Sequence, residues 1–148
     1  RINQPLYRYS NKITGIQLWF KNGRVVKAKA KANETLLKEM IATPGADKIG
    51  EYSLTDKRHS RITKFMAETL FDENIGGPYG NSHIALGMSY RDTYAGDVSK
   101  LTDKEAARLG FNDSSVHTDV ISTTDRIVTA HLKNGSTKVI YKDGKFVL

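Results

Sequence analysis

The sequence predicts an α+β fold in which strands dominate and hairpins make most of the connections. Three observations lead there. An Asn-Gly dipeptide sits between apolar stretches in residues 12–32, the last 21 residues read as a meander, and only two or three segments have helical apolar spacing. With 148 residues and 39% hydrophobic content, the chain is long enough for one domain with its own core.

The first hairpin turns at Asn22-Gly23. A strict two-residue turn puts Lys27 opposite Leu18 and Lys29 opposite Ile16, mixing charge into the apolar face. A three-residue loop, Lys21-Asn22-Gly23 with Gly23 left-handed, pairs Leu18 with Val26 and Ile16 with Ala28. It leaves Gln17, Trp19, Lys27 and Lys29 on the other face, and it is the register expected. A helix follows, with Asn33 as N-cap, Glu34 suited to its positive start, and Leu36, Leu37, Met40 and Ile41 on one side. Pro44-Gly45 ends it.

Gly50 to Leu54 reads as a short strand, and the spacing of Ile62, Phe65, Met66 and Leu70 predicts a second helix. The glycines and proline of residues 75–82 mark a loop. His83 to Tyr90 reads as a buried strand. Thr102 to Leu109 reads as a short helix with a Thr102/Glu105 capping box. In the meander, Val128, Ala130 and Leu132 face Val139 and Tyr141 across Asn134-Gly135, and Asp143-Gly144 turns into the last strand.

The net charge of +7 is unevenly spread. Eight of the 23 basic residues precede the first acid, Glu34, leaving 15 to face all 16 acids. A basic start of this kind is a nucleic-acid footprint, a solvated hairpin face, or a surface that meets an acidic partner domain. The stretch lacks interleaved aromatics for base stacking, so nucleic acid is the less favoured partner. No apolar run approaches the roughly 18 residues of a membrane span, and no secretion signal opens the chain. With no cysteine, disulfides and thiolate metal sites are excluded, and a reducing cytoplasm is the expected compartment. A chain that begins at Arg1 is expected to be part of a longer one.

Metal-type side chains gather in three segments: Glu51; Asp72-Glu73-Asn74 leading to His83 and Tyr90; and His117-Thr118-Asp119. Residues i and i+2 of a strand point the same way, so His117 and Asp119 can reach one ion together. Imidazole and carboxylate without thiolate suit zinc, cobalt, manganese and similar hydrolytic metals. His59 and His131 read as surface residues, and Gly76-Gly77 lacks the Gly-Lys-Ser/Thr sequel of a phosphate loop.

Four ordered blocks, Gly50-Glu51-Tyr52-Ser53-Leu54, Thr69-Leu70-Phe71-Asp72-Glu73-Asn74, His83-Ile84-Ala85-Leu86-Gly87 with Tyr90, and His117-Thr118-Asp119, resemble the C-terminal half of the aminopeptidase T/aminopeptidase S family of two-metal exopeptidases. The resemblance implies that Glu51 bridges two divalent ions, that Glu73, His83, His117 and Asp119 are further ligands, and that Tyr90 polarises the scissile carbonyl or stabilises its oxyanion. Zinc, cobalt, manganese and magnesium are the candidate ions. It also implies that residues 1–148 form one metal-ligand domain of a larger two-domain enzyme. Two departures stand out. A further family carboxylate, in an upstream Pro-Thr-Glu-Glu-type block, has no counterpart before Glu34, and residues 75–82 lengthen the step from Asp-Glu-Asn to the His83 block. The expected partners are therefore a peptide substrate, the missing N-terminal domain and, in the full-length enzyme, a second copy in a homodimer. The alternative is a non-catalytic basic module that contacts nucleic acid or an acidic protein.

Overall fold

The computed structural model describes residues 2–148. Its order begins with two hairpins, β1 (Leu6–Arg8) with β2 (Asn11–Ile13) and β3 (Gln17–Lys21) with β4 (Arg24–Lys29), followed by α1 (Glu34–Ala42). A central antiparallel sheet comes next, built from β5 (Ile49–Thr55), β6 (Asn81–Gly87) and β7 (His117–Ser122) in that spatial order. α2 (Thr69–Asp72) lies between β5 and β6, and α3 (Asp103–Leu109) lies between β6 and β7. The chain closes with the antiparallel meander β8 (Val128–His131), β9 (Thr137–Lys142) and β10 (Lys145–Phe146). The fold is α+β, as expected.

The core forms where the first hairpin, α1 and the central sheet meet. Leu6, Ile13, Ile16, Leu37, Met40, Leu86, Val116 and Val120 are buried together, with Ile84 packed beside them. Removing so many aliphatic side chains from water supplies the main driving force for this arrangement. It also fixes the central sheet's orientation. With Ile84, Leu86 and Val120 turned into the core, alternation obliges His83, Ala85 and Asp119 to the opposite face.

The β3–β4 hairpin departs from the expected register. Asn22 and Gly23 both take positive φ, 51° and 74°, and Lys21 pairs with Arg24 across a two-residue turn. A bulge then absorbs Val26, so Lys27 lies opposite Trp19 and Ala28 opposite Leu18. Leu18, Phe20, Val25 and Ala28 face the core, while the bulged Val26 is 62% exposed. Trp19, Lys27 and Lys29 keep the face expected of them, but Val25 rather than Val26 joins the apolar face, and Lys27 Nζ sits 4.9 Å from the centre of the Trp19 ring.

Asn33 precedes α1 but does not cap it through its side chain. It is left-handed, with φ 56°, and its amide donates to the Lys12 carbonyl at 2.9 Å. Glu34 instead accepts from the Ala30 N–H at 3.0 Å and pairs with Lys38 one turn on. The helix expected over 62–70 is absent; only Thr69–Asp72 is helical. The buried Asp72 carboxylate accepts from the Met66 and Glu68 N–H groups at 2.7 and 2.8 Å, giving that backbone a partner other than a helix. Ala67 adds a positive φ of 61°, and Met66 and Leu70 are exposed. β6 stops at Gly87, leaving Tyr90 just outside the strand at the head of a short 3-10 turn, Arg91–Thr93. The capping box of α3 is formed in both directions, with Gly110 closing the helix at φ 97°.

Candidate metal centre

The register of the central sheet assembles the site. Glu51 on β5 pairs with Ala85 on β6, which pairs with Asp119 on β7; one step along, His117 lies opposite Gly87. His83, two residues before Ala85, shares this face. The methyl of Ala85 occupies little of the space between the two carboxylates. Glu73 arrives from the loop after α2, tied down because its own carbonyl meets His83 Nδ1 at 3.0 Å.

The distances place all five expected ligand residues in one cluster. His83 Nε2 is 2.9 Å from Glu51 Oε1 and 3.9 Å from Asp119 Oδ1. His117 Nε2 is 3.8 Å from both Glu51 Oε2 and Asp119 Oδ1. Glu73, His83 and Asp119 each offer a ligand-type atom within 4.8 Å of the others. Glu51 thus turns one carboxylate oxygen toward each histidine. The Tyr90 ring lies 4.6 Å from that of His117, tilted by 44°, and is half exposed at the rim.

Backbone carbonyls set both imidazoles. A carbonyl can only accept, so His83 Nδ1–H donates to Glu73 O, and His117 Nδ1–H donates to Met88 O at 2.7 Å. Each ring therefore presents Nε2 to carboxylates. His83 Nε2 and Glu51 Oε1 lie at hydrogen-bond distance, 2.9 Å, a contact that either a proton on the ring or a metal ion held by both groups satisfies. On the Asp119 carboxylate, Oδ1 is buried with no hydrogen-bond partner among the described residues. Burial, and then the adjacent Asp119 carboxylate, push the Glu73 carboxyl up to about 7. Imidazole nitrogens and carboxylate oxygens held this way fit a hydrolytic divalent ion.

Several parts of the site carry no signature of metal chemistry in the sequence. Asp72, within the Asp-Glu-Asn block, spends both oxygens on backbone N–H groups and is structural. The carbonyls of Glu73 and Met88 orient the histidines, and no residue type announces that role. Gly50 sits where the β5–β6 pairing shifts by one, and a Cβ there would collide with the Gly87 and Met88 carbonyls. A glycine immediately before a candidate ligand is the signal that marks this close approach. His59 and His131 lie exposed, as expected.

Fold and site together define a candidate hydrolytic metalloprotein: an antiparallel sheet that turns one face to the core and a nitrogen- and oxygen-donor cluster to the other. The chain belongs to the thermophilic metalloprotease (M29) family, whose model matches residues 1–146. It is 31% identical over 147 residues to aminopeptidase AmpS of Bacillus subtilis (strain 168), covering 97% of this chain and 34% of that protein. It is 33% identical over 150 residues to aminopeptidase 2 of Geobacillus stearothermophilus, covering 99% of this chain and 35% of that one. The solved structure of wild-type AmpT from Thermus thermophilus superposes with a TM-score of 0.83 at 26% identity, covering all of this chain and 36% of that one. The chain therefore spans about a third of the length of these relatives.

Proposed function

We propose that residues 1–148 form the metal-ligand domain of a cytoplasmic aminopeptidase, and that Glu51, Glu73, His83, His117 and Asp119 hold a pair of divalent ions. The observation that carries this reading is the position of Glu51 between His83 and His117, one oxygen toward each, as a bridging carboxylate requires. Zinc, cobalt, manganese and magnesium are the candidates, with the imidazoles favouring the first three. When bound, such ions supply Lewis acidity that brings the pKa of water at the site near neutrality. The family and the relatives named as aminopeptidases support a peptide substrate cut at its first bond.

The chain's own residues have distinct parts in this reading. His83 and His117 are held in one tautomer by backbone carbonyls, so no reorganisation is needed to offer Nε2. Tyr90, at the rim against His117, offers a phenolic hydroxyl to the charge that develops on the carbonyl oxygen. The assembly includes an N-terminal domain that contributes a further carboxylate, and the whole enzyme is a homodimer. The exposed Trp19 and its cationic surroundings support contact with protein rather than nucleic acid. Among the described residues no helix is long and apolar enough to cross a membrane.

The test is metal analysis and a peptidase assay of this chain beside a longer one that carries the upstream domain. Metal in both and efficient turnover only in the longer is expected. Equal turnover would show that the upstream carboxylate is dispensable, and absence of metal from both would end this reading.

A further inference from the structure

Beside the cluster, at the outer edge of β5, lies a cavity of about 400 Å³. β5 pairs with β6 on one side, and no strand pairs with residues 50–54 on the other among the described residues. Glu51 and Tyr90 belong to its wall, so the cavity opens directly onto the proposed centre. Tyr52, Leu109 and Phe111 are large apolar side chains of its wall, Ser53, Ser89 and Thr93 add aliphatic hydroxyls, and Glu51 is the only charged residue lining it among the described residues. Tyr52 and Leu109 are 56% and 49% exposed, apolar surface that a ligand can still remove from water.

The cavity is built in advance. Arg91, after Tyr90, pairs with Asp103 at the start of α3 at 2.8 Å, tying one wall to the helix that ends in Leu109. Ser89 N donates to Asn112 O at 2.9 Å and Asn112 N donates to Ser89 Oγ at 2.6 Å, locking the residues that flank the two walls. A preformed concave site with apolar walls and a few neutral polar groups is the usual form of a small-ligand pocket.

We infer that this cavity is the subsite for an uncharged, apolar side chain next to the scissile bond of the peptide, with Leu109 and Phe111 as its specificity-determining residues. The inference rests on the aminopeptidase reading and extends it. The volume accepts a leucine or phenylalanine side chain. A lysine would lose water there and meet no carboxylate besides one engaged with the histidines, and an acid would face Glu51 itself. The free N–H and C=O groups along β5 are placed to pair with an extended peptide main chain.

The experiment titrates this chain, in zinc-containing buffer, with leucinamide, lysinamide and glycinamide while following the backbone amide resonances of Gly110 and Phe111. Leucinamide should shift both resonances and bind at least about tenfold tighter than the other two. Leu109→Glu, at a half-exposed position whose folding is checked by circular dichroism, should reverse the leucine-to-lysine ratio, and Leu109→Trp should weaken leucinamide. Equal affinities, no binding of any amide, or an unchanged ratio in Leu109→Glu would overturn the subsite. The two readings fail separately. If zinc and turnover are absent but leucinamide saturates Gly110, the hydrolase reading fails and the pocket stands. If peptides are cleaved with an unchanged leucine-to-lysine preference in Leu109→Glu, the pocket fails and the hydrolase stands.

Discussion

His83 and His117 show how much of the site's chemistry is settled by one hydrogen bond each. In both rings Nδ1 is committed to a backbone carbonyl, so Nε2 is the atom left to meet Glu51 and Asp119. Tyr90 stands apart from this ligand work. It lies half exposed against the ring of His117. In the whole enzyme, Tyr90→Phe should lower kcat by about 10²-fold with little change in KM, as removal of one transition-state donor does. Metal content should stay unchanged. Steady-state kinetics with parallel elemental analysis checks this, and a variant that keeps full kcat would remove Tyr90 from the mechanism.

At the scale of elements, the parts legible in the sequence are those with a local period or a local cap. The Thr102/Glu105 box, the Trp19, Lys27 and Lys29 face of the β3–β4 hairpin and the pointing of His117 and Asp119 to one side follow from spacing alone. What escaped turns on where one side chain spends its hydrogen bonds or where one residue drops out of a ladder, which apolar spacing does not report. The spacing of Ile62, Phe65, Met66 and Leu70 mimics a helix, yet the Asp72 carboxylate takes the backbone donors and Phe65 stacks on Tyr7 instead. Asp72→Ala should therefore destabilise the fold by about 2–3 kcal/mol, since two backbone donors lose a charged acceptor. Urea unfolding measures it, and a loss below about 0.5 kcal/mol would show that those bonds count for little. The bulge at Val26 was equally hidden, because a two-residue turn and an extra residue leave Trp19, Lys27 and Lys29 on the face that a three-residue loop gives them, exchanging only Val25 and Val26. On that hairpin, Trp19→Ala should change the stability of this chain by less than about 1 kcal/mol while weakening association in the full enzyme. Sedimentation at several concentrations is the readout, and unchanged association would exclude Trp19 from the proposed contact.

Across the whole molecule, the far sheet is fastened to the central one through Asp56. This buried carboxylate accepts from the Arg58 guanidinium and from the Phe146 N–H, and those bonds, Arg58 first, hold its pKa well below the usual carboxylate range. A depressed folded-state pKa gives stability that is present above the unfolded value of about 3.9 and is lost as pH falls below it. Melting temperature should thus drop between pH 5 and pH 3, and Asp56→Asn should be less stable at pH 7 and shallower in that window. A variant with the wild-type acid profile would place the acid sensitivity elsewhere.

The central claim is that Glu51, Glu73, His83, His117 and Asp119 act together on a divalent ion. The most direct measurement is calorimetric titration of zinc into this chain at neutral pH, alongside His83→Ala, Asp119→Ala and the exposed-histidine control His131→Ala. The account predicts saturable binding in the wild type and His131→Ala, and at least a tenfold loss of affinity in each of the other two. Equal zinc binding by all four proteins, or binding by none, would contradict it.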